Sequence, residues 1–89
     1  MAEENIIYVG KKPTMNYVLA IVTQFNNNVD HITIKARGKA ISKAVDIAEI
    51  TRRKFLHEAK YSAIKLDTEL LKGERGELNV SSIEITLTR

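Results

Sequence analysis

Hydrophobic and polar positions follow two periods along this chain, and each change of period predicts a new element. Ile6-Ile7-Tyr8-Val9 is an unbroken apolar run, a short buried strand that Gly10 stops. From Pro13 to about Phe25, Met15, Val18, Leu19 and Val22 recur at helical spacing, and Asn26-Asn27-Asn28 closes the segment as a turn. Ile32, Ile34 and Ala36 then alternate with Thr33, Lys35 and Arg37, so a strand packs one face and presents cations on the other. Beyond Gly38 a second helix, from Ala40 to about Leu56, places Ile41, Ala44, Val45, Ala48 and Phe55 on one stripe. Ile47 and Ile50 fall on its flank, where they are candidates for a second interface.

The last third of the chain reads as a long hairpin. Ser62 to Thr68 alternates, as do Ile83, Ile85 and Leu87 with Glu84, Thr86 and Thr88, which describes two half-buried strands. Gly73-Glu74-Arg75-Gly76 forms the turn at the tip. Leu78 and Val80 have the opposite parity to Ile83 and Ile85, which predicts a bulge or twist where the hairpin leaves the sheet. The resulting order is β-α-β-α-β-β. That is an α+β two-layer sandwich, two helices on a four-stranded sheet with a protruding C-terminal hairpin.

Length and charge sharpen this picture. A chain of 89 residues is expected to form one domain over residues 1–89. Chains of this size bury roughly 60–65% of their unfolded surface, so an oligomer is a natural way to add stability. The formal charge of +3 conceals a polarised molecule: Gly10 to Lys43 holds six cations (Lys11, Lys12, Lys35, Arg37, Lys39 and Lys43) against Asp30 alone, whereas the remainder has more acids than bases. Both basic loops, Gly10-Lys11-Lys12-Pro13 and Lys35-Ala36-Arg37-Gly38-Lys39, follow an apolar run and open a helix. Helix starts normally carry Ser, Thr, Asp or Asn caps and acids in the first turn. With Pro13 as the first helical residue, Lys12 stands at the cap and offers no side-chain acceptor. Lysines together with free backbone N–H groups suit an external phosphate. The plain alternative is solvated loop lysines, and the repetition of the design in two loops favours phosphate.

Other chemistry has few footholds. Cysteine is absent, which removes disulfides, thiolate metal sites and a thiol nucleophile. His31 and His57 have no partner at metal-ligand spacing and read as solvated or capping residues, so neither a metal nor another cofactor is expected. Asp46 and Glu49 are placed for helix pairs with Arg52 and Arg53 rather than for acid–base work. Ser42 and Lys43 are adjacent, and Ser42 reads as a first-turn helix residue. Gly10-Lys11-Lys12 lacks the frame of a nucleotide P-loop, which leaves a nucleotide enzyme as the weakest reading. Met1-Ala2-Glu3-Glu4 has no basic or apolar leader, and no run approaches the roughly 18 apolar residues of a membrane span, so an intracellular protein without membrane association is expected.

Two segments carry a resemblance. Gly10-Lys11-Lys12-Pro13-Thr14-Met15-Asn16-Tyr17-Val18 and Ile34-Lys35-Ala36-Arg37-Gly38-Lys39-Ala40-Ile41-Ser42-Lys43-Ala44-Val45-Asp46 closely resemble the two signature segments of the Alba family of archaeal chromatin proteins. The order of elements, the glycine-bounded hairpin and Ser82-Ile83-Glu84-Ile85 are similar too. This resemblance implies a homodimer that binds double-stranded DNA without strong sequence preference. It further implies coating, bridging and compaction of DNA in the cytoplasm at the chromosome (nucleoid), together with RNA binding. Superfamily members in RNA-processing complexes make an RNA-chaperone or ribonucleoprotein role the alternative.

Carried over by position, the resemblance implies nucleic-acid contacts at Lys11, Lys12, Asn16 and Tyr17 and at Arg37 and Lys39, with Lys43 adding to the same charge. Lys39 stands where the family often has arginine, so a point charge replaces a two-pronged phosphate contact. The family's arms reach the minor groove with basic residues, but this tip offers only Lys72 and Arg75 among Glu69, Glu74 and Glu77. Phe55 matches a position of contact between dimers; its place on the apolar stripe gives a core aromatic as the alternative. Lys11 and Lys12 are also expected sites of regulation, since acetylation would remove their charge.

Overall fold

The computed structural model describes residues 5–89. Its elements are β1 (Ile6–Tyr8), α1 (Thr14–Asn26), β2 (His31–Arg37), α2 (Ile41–Ile50), β3 (Lys60–Gly73) and β4 (Gly76–Thr88). The order β-α-β-α-β-β is the expected one. The four strands form one sheet in the spatial order β1-β2-β4-β3, with β1 parallel to β2 and the other pairs antiparallel. Ile32, Ile34 and Ala36 on β2 and Ile83, Ile85 and Leu87 on β4 point to one face, where α1 and α2 cover them. The expected α+β architecture therefore stands.

Both helices are rotated from the expected orientation. Val18, Ile21 and Phe25 are the buried residues of α1, whereas Met15 and Leu19 are exposed and Val22 is half-buried. In α2 the buried stripe is Ala44, Ile47 and Ala48, continuing to Thr51 in the turn that follows, and Val45 is exposed. Each helix is apolar over a wide arc, and both stripes satisfy the helical period; only the sheet underneath selects one. Ile47 is therefore core rather than flank, and its truncation to Ala would cost about 2–5 kcal/mol. Ile50 is half-buried against the same core and keeps part of its surface exposed on the flank.

Three boundaries are set by backbone chemistry. Asn28 adopts a left-handed φ of 71° just after α1, as its short polar side chain permits. Gly38, at φ 59°, turns the chain out of β2 into a single 3-10 turn (Gly38–Ala40) that leads into α2. At the other end, Thr51–Phe55 widens into a π turn in which the Leu56 N–H donates to the Thr51 carbonyl oxygen. This widening turns Phe55 off the buried stripe, leaving it 40% exposed. The core reading of Phe55 is thereby corrected.

The strands depart from expectation in burial and in the position of the bulge. β1 is a short edge strand with Ile6 and Tyr8 exposed, not a buried one. β3 is exposed along nearly its whole length, because the helices cover β1, β2 and β4 but leave this outer strand bare. β4 pairs with β3 from Gly76 without interruption, so the change of parity at Leu78 and Val80 simply puts them on the helix-free face. The irregularity lies instead in β3, between Tyr61 and Ala63.

Candidate nucleic-acid interface

Topology brings the basic segments together. Because β1 and β2 are parallel, the loops that follow them, Gly10–Pro13 and Gly38–Ala40, leave the sheet at the same end. β4 is antiparallel to β2, with Ser82 opposite Arg37, so the part of the hairpin before Ser82 extends past that same end. Beyond this point β3 and β4 pair only with each other. Six residues at about 3.3 Å each give an arm of roughly 20 Å. Lys11, Lys12, Asn16, Tyr17, Lys43, Arg37 and Lys39 thus belong to the end of the body, while Lys72 and Arg75 lie out on the arm.

The first loop is braced from two helices. Tyr17 on α1 places its hydroxyl oxygen to accept from the Gly10 N–H at 2.8 Å and the Lys12 N–H at 3.3 Å. Lys43 on α2 donates from Nζ to the carbonyl oxygens of Gly10 and Lys12, both at 2.9 Å. Two N–H groups and two carbonyls of one short loop are therefore held by side chains. The expectation that loop N–H groups would receive phosphate is corrected for Gly10 and Lys12. Pro13, with φ −59° and ψ 148°, is the residue capping α1 in place of Lys12, and it has no N–H to present.

What the loop presents is side-chain charge. Lys11, Lys12 and Lys39 are exposed, and among the described residues none of them forms an ion pair with a carboxylate. No acid occupies the first turn of α1 or of α2, so the positive helix ends reinforce these cations. Asn16 is exposed in the first turn of α1.

The cations of β2 behave differently. Arg37 Nη1 is paired with Glu69 Oε1 of the arm at 2.8 Å, and Lys35 Nζ lies 3.7 Å from Glu84 Oε2. The strand face expected to present free cations is largely self-neutralised. At the arm tip, Glu74 and Arg75 form the two-residue turn between the paired Gly73 and Gly76, and Gly76 takes φ 117°. Lys72 sits opposite Glu77, so the tip itself mixes signs.

Phe55 belongs to neither group of cations, closing the π turn that follows α2 while Lys43 lies in the first turn of that helix. A knot of side chains fixes that end: Glu49 accepts from the Tyr61 hydroxyl, from Arg53 Nε at 2.8 Å and from Arg52 Nη1 at 3.2 Å. The Tyr61 hydroxyl, followed by Arg53, holds the Glu49 carboxyl below its ordinary range, while burial and then Glu49 push the Tyr61 phenol up. Arg52 also lies over the Tyr61 ring, 4.8 Å from its centroid. Of the two acids expected to pair with these arginines, Glu49 engages both, and Asp46 pairs with neither among the described residues. His31 pairs with Asp30 at 2.8 Å on the surface, and His57 is exposed.

Sequence reasoning found the cations but not the brace, nor the arm's acid on Arg37. The Lys43 half of the brace and the Arg37–Glu69 pair join residues more than 30 positions apart, and the Tyr17 half, though it spans only five to seven positions, leaves no mark in the hydrophobic pattern. No helix among the described residues is long and apolar enough to cross a membrane.

Comparison with known proteins agrees with this geometry. The Alba family model matches residues 5–68. The chain is 79% identical to the DNA/RNA-binding protein Alba of Thermoplasma acidophilum, and 80% identical to that of Picrophilus torridus, each alignment covering 100% of both chains. The solved structure of Alba from Thermoplasma volcanium superposes with a TM-score of 0.89 at 76% identity, covering 96% of this chain and 100% of that one. A Trypanosoma brucei Alba protein, 19% identical, shares the fold with a TM-score of 0.80 over 100% of this chain and 72% of its own. With its signature loops at one end of a β-α-β-α-β-β sheet, and with these relatives, the chain belongs to the Alba family.

Proposed function

We propose that this protein binds double-stranded DNA through its phosphate backbone, without strong sequence preference, and acts as a binding protein rather than an enzyme. The observation that carries the reading is the convergence of Lys11, Lys12 and Lys39, unpaired among the described residues, and a two-stranded arm at one end of the sheet. Lys11, Lys12 and Lys39 neutralise phosphates there, releasing counterions in a sequence-independent way. Asn16 adds a hydrogen-bonding side chain, and Tyr17 and Lys43 hold the first loop in place. Arg37 joins once it exchanges Glu69 for a phosphate. Among the described residues no helix offers a row of base-reading side chains, so shape and charge are read rather than sequence. Acetylation of Lys11 or Lys12 would remove one of the unpaired charges.

The arm supplies Lys72 and Arg75 to a minor groove, where a narrow, electronegative channel favours arginine. Relatives named as DNA/RNA-binding proteins support RNA as a second ligand, taken by the same phosphate contacts. An RNA-chaperone or ribonucleoprotein role uses this surface with a different partner.

The assembly that fits is a homodimer. On β3, Ile64 and Leu66 share the face of Ile85 and Ile83 but extend beyond the helices, and Leu66 is 77% exposed. A second copy covering this strip would remove it from water and place two arms on one duplex. Exposed Phe55, remote from the loops, suits contact between dimers, and bridging and compaction of nucleoid DNA would follow from such contacts. Sedimentation at micromolar concentration should give a species of about twice 10.0 kDa, and titration of duplex DNA over a range of salt should give a steep linear loss of log K. Salt-independent binding would defeat the phosphate reading.

A further inference from the structure

The helix-free face of the sheet holds a recess of about 520 Å³, lined by Tyr8, Lys35, Arg37, Glu69, Ser82 and Glu84. Its volume falls within the roughly 300–1,000 Å³ of small-ligand sites. Tyr8 stands on the edge strand β1 with 70% of its surface exposed, and Lys35 Nζ lies 5.9 Å from its ring centroid. A lone exposed aromatic would carry no inference. Here the ring shares a concave site with two cations, each held by a carboxylate that an incoming phosphate can replace: Lys35 by Glu84 at 3.7 Å and Arg37 by Glu69 at 2.8 Å.

Bases within a duplex are stacked and paired, so their faces are closed to a tyrosine. An unpaired base is open on both faces. We propose that this recess binds one unpaired nucleotide of a single-stranded nucleic acid, with the base stacked on Tyr8 and its phosphate taken by Arg37 or Lys35. The glutamate so released, Glu69 from Arg37 or Glu84 from Lys35, then accepts from an exocyclic amino group, as adenine and cytosine provide. Arg37 belongs both to this recess and to the end of the sheet where the loops emerge, so a strand leaving a duplex on the body can pass directly into the site. The inference rests on the nucleic-acid reading above and deepens it, giving the RNA-binding side of that reading a place of its own.

The test uses the full chain at one salt concentration near 0.15 M. Wild type, Tyr8→Phe and Tyr8→Leu are titrated with oligoadenylates of roughly 12 nucleotides, in RNA and DNA forms, and with a matched duplex DNA. Leucine keeps the bulk and apolar character of the strand position while removing the π face; phenylalanine keeps the face. Stacking of one base predicts that Tyr8→Leu weakens single-strand binding by at least about fivefold, that Tyr8→Phe stays near wild type, and that duplex affinity is unmoved in both. Loss confined to the RNA or to the DNA oligomer identifies the strand that uses the site. Upfield shifts of the Tyr8 ring protons on adding oligoadenylate are the direct signature. Unchanged single-strand affinity in Tyr8→Leu, or equal weakening of single strand and duplex, overturns the inference. Failure of wild type to bind the duplex would instead strike the phosphate reading of the loops.

Discussion

The two basic loops and the hairpin arm leave the same end of the sheet, yet they hold their charge in opposite ways. In the loops, Lys11, Lys12 and Lys39 have no acidic partner among the described residues, and the backbone beneath the first pair is clamped by Tyr17 and Lys43. On the arm every cation has an acid close by: Lys72 opposite Glu77, Arg75 beside Glu74, and Glu69 reaching back to Arg37. A rigid cationic body and a charge-balanced extension have different uses. On the proposed reading, free cations on a fixed frame would contribute affinity, since little ordering is needed when phosphate arrives. A narrow ribbon of mixed charge would contribute through fit to a groove.

The largest expected effect lies on the body. Replacing Lys11 and Lys12 together by Ala should weaken DNA and RNA binding alike and lower the slope of log K against log salt by about 0.9 for each phosphate left without its lysine. An unchanged slope would remove these lysines from the interface and erase the contrast with the arm.

Next comes the brace. Tyr17→Phe removes the acceptor of two loop N–H groups without altering charge, so affinity should fall by about fivefold while the salt slope holds, the size of one net hydrogen bond. Faster amide exchange at Gly10 and Lys12 should accompany the loss. A fall in slope would mean that the hydroxyl touches phosphate instead of the loop.

The arm should matter less. Arg75→Ala is expected to cost less than loss of the lysine pair and to shift the preference between duplex DNA and RNA, whose minor groove is wide and shallow. Greater damage than the lysine pair, or equal weakening on both duplexes, would overturn this body-dominated model of binding.

The smallest effect tests the link between the two regions. Glu69→Gln frees Arg37 and should raise duplex affinity, by at most about fivefold given the modest strength of exposed ion pairs. The gain should vanish in an Arg37→Ala background. Persistence there would mark Glu69 as a general repulsive charge rather than a competitor for one arginine.

Stability should follow a separate switch at the far end of α2. Glu49 has a folded pKa below its ordinary 4.5, so the stabilisation it supplies is complete above that value and is lost as pH falls through the lowered pKa. Thermal melts between neutral and acid pH should show a shallower acid decline in Glu49→Gln, with duplex binding at neutral pH retained.

Much of this was legible in the sequence. The alternation of Ile32, Ile34 and Ala36 with Thr33, Lys35 and Arg37 predicted β2 and its buried face, because a strand's period of two has a single solution once one side is apolar. Gly73 and Gly76 located the hairpin turn, and the clustering of cations in two loops marked the basic end of the sheet where the interface is proposed. The helices were harder. α1 and α2 are apolar over more than one stripe, so a period of 3.6 allows several rotations, and Ile21, Phe25 and Ile47 entered the core only through contact with the sheet. A π turn, which no hydrophobic pattern announces, decided where Phe55 points.

The division has a physical cause. Local sequence determined the identity and order of the elements, through backbone sterics, side-chain periodicity and turn chemistry that act over a few residues. Charge sign and loop position were equally local. Tertiary structure alone decided which cations remain free and which are occupied, because a lysine in either state looks the same in sequence. Lys43 became a clamp when α2 came to rest beside the first loop, and Arg37 acquired Glu69 when the hairpin extended past the end of β2. Both pairings arise from strand order and register, and these are settled by burying one common core rather than by any segment on its own.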